Sequence, residues 1–264
     1  MTLMRFLERL GESIINLFET VGAFSIFTGR TIRWIFARPF DTQNLILQMQ
    51  EIGVKSVPVG VVSSFFIGMV MALQLGGALE KYMQGISTFL GGGISVSMVR
   101  ELAPVITSIL LAGRVGSSIA AEVGTMRVTE QIDALVTLAT DPIHYLSVPR
   151  FLAALITIPM VSTLAILIGS FGGAVVSNFM YDIPYAMYVD NARQFVDYKD
   201  LASGVTKTFF FGAEIALVSC FTGFRAQGGA KGVGQATISA VVISLMMIIV
   251  SDYFITYLFQ LFGW

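Results

Sequence analysis

Five stretches of this sequence, at roughly 55–80, 93–123, 147–179, 202–224 and 234–262, stay apolar for the ~20 residues that a helix needs to cross a hydrocarbon core, and longer. Nothing else in the chain constrains the fold as much. Inside lipid the backbone has to satisfy its own hydrogen bonds, so such runs fold as spanning helices. Polar breaks separate them at 81–92, 124–146, 180–201 and 225–233. Composition agrees: 55% of residues are hydrophobic and 12% charged, where a soluble domain carries about one quarter charged residues. The expected fold is an all-α integral membrane protein. No soluble domain, linker or low-complexity tract interrupts it, so residues 1–264 are expected to form one membrane domain.

The N-terminus "MTLMRFLERLGESIINLFETVG" places Leu3, Phe6, Leu7, Leu10, Ile14, Leu17, Phe18 and Val21 at helical spacing, with Arg5, Glu8, Arg9, Glu12 and Glu19 on the other face. That pattern predicts an amphipathic helix lying in the membrane interface. Its acids and the lack of a small-residue cleavage site distinguish it from a signal peptide. The next piece, "FSIFTGRTIRWIFARPF", is aromatic and basic, with Arg30, Arg33, Arg38 and Trp34, and reads as interfacial or re-entrant because its arginines recur too often for the hydrocarbon core. Basic residues set the orientation. With the N-terminus inside, eleven of them (Arg5, Arg9, Arg30, Arg33, Arg38, Lys55, Arg114, Arg127, Arg150, Arg225 and Lys231) fall in inside segments, against Lys81, Arg193 and Lys199 outside. The expected topology is N-in and C-out with five spans. The outside stretch near 182–200 is acidic (Asp182, Asp190, Asp197, Asp200) and reads as a solvated face.

Several chemistries fall away. Net charge is −1, so no basic field is available for nucleic acid. Cys220, the one cysteine, sits in an apolar run and reads as packing. There is no Gly-Lys dipeptide, hence no P-loop, and no H-E-x-x-H. The one histidine, His144, lies in a loop with no second His or Cys near enough for a metal site. No enzymatic role, cofactor or metal is expected in this chain; any ATP, with its magnesium, belongs to a partner.

The second span holds an anomaly. In "VRELAPVITSILLAGRVG" (Val99 to Gly116), Arg100 and Glu101 stand side by side, Pro104 follows three residues after Glu101, and Arg114 comes fourteen residues after Arg100. An intramembrane charge costs about 3 kcal/mol or more. Adjacent residues point about 100° apart on a helix, so Arg100 and Glu101 each need separate company. Lys207, Glu214 one seven-residue step further on, and Asp252 are the candidates. Pro104 is expected to kink the span. The residues alone leave two readings open: ion pairs holding helices together, or the polar lining of a pathway with apolar walls. Two rows of small residues follow, Gly113/Ser117/Ala121/Thr125 and Gly116/Ala120/Gly124, with Gly169-x-x-x-Gly173 in the third span. They predict close helix packing within the chain, with contact to a second copy as the alternative. After the second span, Thr129 is placed to cap a short helix with Glu130 in its first turn, Ile132, Leu135, Val136 and Ala139 as its apolar face, and Asp141-Pro142 closing it. Such a helix lies on lipid or docks into a partner's groove.

The long run "RELAPVITSILLAGRVGSSIAAEVGTMRVTEQIDALVTLATDPIHYLSVPRFLA", starting at Arg100, together with "FFIGMVMALQ" (65–74) and "DYFITYLF" (252–259), resembles the MlaE-type (YrbE-type) permeases, membrane subunits of ABC transporters that move lipids between the two membranes of Gram-negative bacteria. The resemblance covers essentially the whole chain and is weakest over the first fifty residues. It implies an interfacial elbow region over 1–54, a five-span bundle over 55–262 and a cytoplasmic coupling helix at 127–140. Arg127, Glu130, Gln131, Asp133, Leu135 and Asp141 would then meet the ATPase. It further implies a multi-pass protein of the bacterial inner membrane that works as a homodimer with two ABC ATPase subunits, a hexameric periplasmic MCE-domain protein and, in many members, a STAS-domain subunit. The charged residues of the family's cavity fall on Arg100, Glu101, Lys207 and Asp252, and its lipid-contacting wall on Met71, Gln74, Leu75, Leu79 and Tyr82. Glu214 departs from the family pattern.

The expected function is therefore a permease moving phospholipid between the inner membrane and the MCE protein, which maintains outer-membrane lipid asymmetry. Arg100 and Lys207 would meet the phosphate, and Glu101 and Asp252 would neutralise them when no lipid is present. The alternatives are a stand-alone secondary transporter or channel, a scaffold for an MCE protein, and a permease for sterol or another hydrophobic substrate.

Overall fold

The computed structural model describes residues 2–36, 41–82 and 89–263, with the backbone alone at 2–10, 13 and 79–82. Among these residues there is no strand. The chain runs α1 (Thr2–Ile35), α2 (Thr42–Ile52), α3 (Val57–Tyr82), α4 (Leu90–Ser97), α5 (Ala103–Leu111), α6 (Ser117–Val128), α7 (Gln131–Thr137), α8 (Val148–Tyr181), α9 (Tyr185–Phe195), α10 (Tyr198–Phe224) and α11 (Gly229–Leu261). A 3-10 turn at Val54–Ser56 joins α2 to α3. Wider π-helical turns at Met98–Leu102 and Ala112–Gly116 join α4, α5 and α6, and a third at Ile143–Ser147 leads into α8.

Five continuous helical segments are long and apolar enough to cross a membrane: Thr42–Ala78, Leu90–Val128, Ile143–Tyr181, Tyr198–Phe224 and Gly229–Leu261, hereafter spans 1 to 5. The chain is a multi-pass membrane protein. The count matches expectation, but the bounds move outward, because α2 runs into α3 through the 3-10 turn and α4 extends span 2 backwards. The polar stretch at 180–201 is not a plain loop, since it folds largely into α9. Tyr188 anchors that helix by donating its hydroxyl to Ser170 O at 3.1 Å, and burial pushes its phenol up to about 12.

The N-terminal region corrects one expectation. Residues 2–35 form one continuous helix, so "FSIFTGRTIRWI" makes no re-entrant turn; Arg38 falls outside the described residues. The helix reaches the bundle through its aromatic residues. Phe24 and Phe27 pack on Phe221 at ring distances of 5.3 and 5.7 Å, and Trp34 packs on His144 at 5.1 Å. His144 is thus a packing residue, and Cys220 is buried as expected.

Small residues set how closely the spans approach. A Cβ on Gly68 would stand 1.8 Å from Gly169 O, and one on Gly172 would stand 2.2 Å from Phe65 O, so α3 and α8 meet backbone to backbone. The Gly169-x-x-x-Gly173 motif is therefore spent inside the chain. Of the two rows in span 2, Gly116 and Gly124 face Ser219 and Ala226 around α10, while Gly113 faces open space. The buried apolar residues fall into two clusters. One holds Ile94, Met98, Val99 and Ala103, and the other holds Leu111, Ile158, Phe211 and Ile215. Arg100 and Glu101 interrupt the first cluster between Val99 and Ala103, and Lys207 stands one turn before Phe211 of the second.

Candidate functional site

The sequence "DYKD" at the head of α10 begins the site. Asp197 Oδ1 accepts from Tyr198 N at 2.7 Å, and Asp200 Oδ2 accepts from Asp197 N at 2.9 Å, closing a capping box. The other oxygen of Asp200 stands 3.4 Å from Arg100 Nε on span 2. One carboxylate therefore both starts span 4 and holds Arg100. One turn further on, Gly204 lets α10 come so close that a Cβ there would lie 2.1 Å from Val99 O. This close contact brings Lys207, three residues beyond Gly204, beside the π-helical turn that carries Arg100 and Glu101.

Pro104 explains how that turn is used. Having no N–H, it offers nothing to the carbonyl four residues back, which belongs to Arg100. Lys207 Nζ donates to that oxygen at 3.2 Å. The same ammonium stands 2.6 Å from Glu101 Oε2 and 2.9 Å from Asp252 Oδ1 on span 5. Thr256, one turn beyond Asp252, donates to Glu101 Oε1 at 3.3 Å. Lys207 thus ties span 2 to span 5 from its place on span 4.

The side chain of Lys207 is 1% exposed, whereas Asp252, Arg100 and Glu101 are 21%, 35% and 41% exposed. A buried ammonium needs counter-charges, and two carboxylates and a carbonyl surround this one. Two cations face three carboxylates, Glu101, Asp252 and Asp200, in one connected group. The lysine is sealed and the other three groups border accessible space. An anion arriving there would compete for Arg100, and one reaching Lys207 would first displace Glu101 or Asp252.

Arg100, Glu101, Lys207 and Asp252, expected from the sequence, are brought together. Glu214 is not part of the group; its carboxylate accepts from Ser251 Oγ at 3.1 Å. Asp200 was missed because the acids at 182–200 were taken as one solvated face. It lies seven residues before Lys207, the same step that relates Lys207 to Glu214, so the signal was present in the sequence. Of the residues expected to form a first-span wall, Met71 and Leu75 are half-buried against the Ile94–Met98 cluster, and Gln74 is exposed. The side chains of Leu79 and Tyr82 lie outside those described.

A second buried charge went unpredicted. Arg150 is 3% exposed, pairs with Glu122 at 2.7 Å and donates to Leu146 O at 2.8 Å. Glu122 lies 22 residues from Arg100, about 33 Å by helical rise, so this pair sits toward the other end of span 2. Arg114, also on that side, donates to Ser56 Oγ in the 3-10 turn.

Between spans 2 and 3 the short helix is α7, Gln131–Thr137, narrower than the expected 127–140. Arg127 ends span 2 and pairs with Asp133 at 2.7 Å. Thr129 does not cap α7; its hydroxyl donates to Thr125 O. Glu130 precedes the helix at φ +63°, rather than lying in its first turn, and Gln131 Nε2 donates to Thr129 Oγ1. Ile132 is buried and Leu135 packs on the same core, while Val136 and Leu138 are 57% and 75% exposed. Asp141 faces its own chain, accepting from Ile143 N at 2.8 Å and pairing with Arg30 at 3.1 Å. Among the described residues no three of His, Cys, Asp and Glu converge as a metal set.

The family model for permease MlaE matches residues 45–258. A probable ABC transporter permease protein of Synechocystis is 40% identical over 94% of this chain and 93% of its own length. Another from Rickettsia bellii is 41% identical over 97% of this chain and 98% of its own. The chloroplastic protein trigalactosyldiacylglycerol 1 of Arabidopsis thaliana is 37% identical over 89% of this chain and 66% of that protein.

Proposed function

The chain belongs to the MlaE permease family of ABC transporters, whose membrane subunits work with ATPase partners, and on that premise we propose that it carries phospholipid between the bacterial inner membrane and a periplasmic MCE-domain protein, serving outer-membrane lipid asymmetry. The observation that carries this reading is the ion group around Lys207, whose members stand beside apolar residues of both clusters, Val99 and Ala103 of one and Phe211 of the other. A phospholipid needs a polar patch for its phosphate beside an apolar passage for its chains. Here Arg100 and Lys207 supply the patch, and Glu101 and Asp252 hold it neutral when no lipid is present. Met71, Gln74 and Leu75, continued toward Leu79 and Tyr82, form the chain-contacting wall. The name of the Arabidopsis relative contains that of a glycolipid, which favours a lipid cargo over a solute.

In this proposal the N-terminus is cytoplasmic, α1 lies in the interface, and α7 docks into the ATPase with Val136 and Leu138 as its exposed apolar contacts. The chain works as a pair with a second copy beneath a hexameric MCE protein, and a STAS-domain subunit joins the ATPase. The test is to purify the protein with its native partners in mild detergent, beside R100A/K207A, and to identify the bound lipid by mass spectrometry. Glycerophospholipid present in the wild type and absent from an intact variant complex is the expected result. Equal lipid in both, or none in either, would overturn the head-group role. A sterol or another hydrophobic molecule in its place would replace the cargo.

A further inference from the structure

At the other end of α10 from Asp200, the helix α1 leaves a groove against the bundle. Phe27, Phe221 and Phe224 form its floor and Arg30 and Arg225 stand at its edge, enclosing a cavity of about 570 Å³. A neighbouring cavity of about 470 Å³, shared at Arg30, continues to Arg33 and Trp34. The three arginines are not equivalent. Arg30 is held by Asp141 at 3.1 Å. Arg225 lies over the Phe221 ring at 5.2 Å, a contact that orients its guanidinium without neutralising it. Arg33 is exposed and has no carboxylate within ion-pair distance among the described residues. Glu19 also borders the first cavity.

An aromatic trough with Arg225 at its edge and Arg33 in the cavity that continues it, on a membrane protein, matches one ligand chemistry: acyl chain below and phosphate at the rim. Basic pockets between helices at headgroup depth recognise anionic lipid in this way. Guanidinium suits the task because its planar fork binds two phosphate oxygens at once. We propose that the groove between α1 and the bundle is a binding site for an anionic phospholipid of the leaflet that α1 borders, separate from the transport pathway. Arg225 follows the end of α10, eighteen residues beyond Lys207 and about 27 Å from it by helical rise, so the two sites do not share a head group. The occupant is a resident lipid that fastens α1 to spans 3 and 4. This holds whatever cargo the permease carries.

Trp34 lines the site and is one of two tryptophans in the chain. With Trp264→Phe as background, the full-length protein is reconstituted into vesicles containing either brominated phosphatidylglycerol or brominated phosphatidylcholine, and Trp34 quenching is followed against mole fraction. Two arginines near the headgroup plane should give a preference for the anionic lipid on the order of tenfold. R33Q/R225Q should bring the two lipids to parity, R33K/R225K should keep the part of the preference that charge alone supplies, and the charge-balanced K207M/E101Q/D252N should leave it unchanged. Millimolar inorganic phosphate should not compete, because it has no chains for the trough. Parity in the wild type, a preference that survives R33Q/R225Q, or one lost in K207M/E101Q/D252N would each overturn the proposal. The last outcome would place the anionic lipid in the cargo path instead. Lipid lost from the Lys207 group with this preference intact would leave the groove site standing.

Discussion

Lys207 concentrates the energetics of the site in one side chain. Its ammonium has three oxygen partners within 3.2 Å on two other spans. Removing it leaves two carboxylates facing one another with no cation between them. K207M is therefore expected to cost about 3 kcal/mol, the lower end for breaking a buried pair, because Glu101 is 41% exposed. The triple variant K207M/E101Q/D252N should recover most of that loss, since neutral amides need no counter-ion. Unfolding by SDS titration in mixed micelles checks both. If the single variant is as stable as the triple, the group does not hold the spans together. At this scale most of the site was legible: charges inside an apolar run advertise themselves. Asp200 was not, because Asp182, Asp190 and Asp197 make its whole stretch read as acidic and only its place in the first turn of α10 turns it inward.

Elements bring these residues within reach through close approach. Gly204 is where α10 closes on the turn that carries Arg100 and Glu101, and the atom a new Cβ would meet is a backbone oxygen, Val99 O at 2.1 Å. Backbone cannot rotate aside, so G204A should push the helices apart and destabilise the protein by about 2 kcal/mol, weakening the Lys207–Glu101 pair with it. G113A, where nothing lies within 4 Å, should stay within about 0.5 kcal/mol of wild type. The same SDS titration separates them, and equal losses would show that the seam tolerates a methyl group. The sequence made Gly204 look like any other helical glycine. It also made Pro104 look like a kink, whereas in the structure the carbonyl it strands becomes a ligand for Lys207.

For the whole molecule, one span separates α7 from α9, so the two must lie on opposite sides of the membrane. Leu138 and Val189 are both exposed, and Cys220 is the one native cysteine. In a Cys220→Ala background, L138C should react with an impermeant maleimide from the cytoplasmic side alone and V189C from the other side alone. Right-side-out and inverted vesicles read this directly. Labelling of both from one side would refute the five-span path, and the reverse pattern would refute the N-in orientation.

What the sequence determined by itself was the number of spans, the helical class and the identity of four of the five ionisable groups in the site. Each of these follows from local rules: apolar length, backbone satisfaction in lipid, and the expense of charge in hydrocarbon. The family likeness carried in the run from Arg100 is likewise a property of the string. What the tertiary structure decided was pairing. Arg100 with Asp200, Lys207 with both Glu101 and Asp252, Arg150 with Glu122, and Glu214 with a hydroxyl alone depend on which helix faces come together and at what depth. Helical periodicity fixes directions within one span. The relative rotation and height of two spans are set by backbone contacts such as Gly68 on Gly169 and Gly204 on Val99, whose partners lie roughly one hundred residues away in the chain.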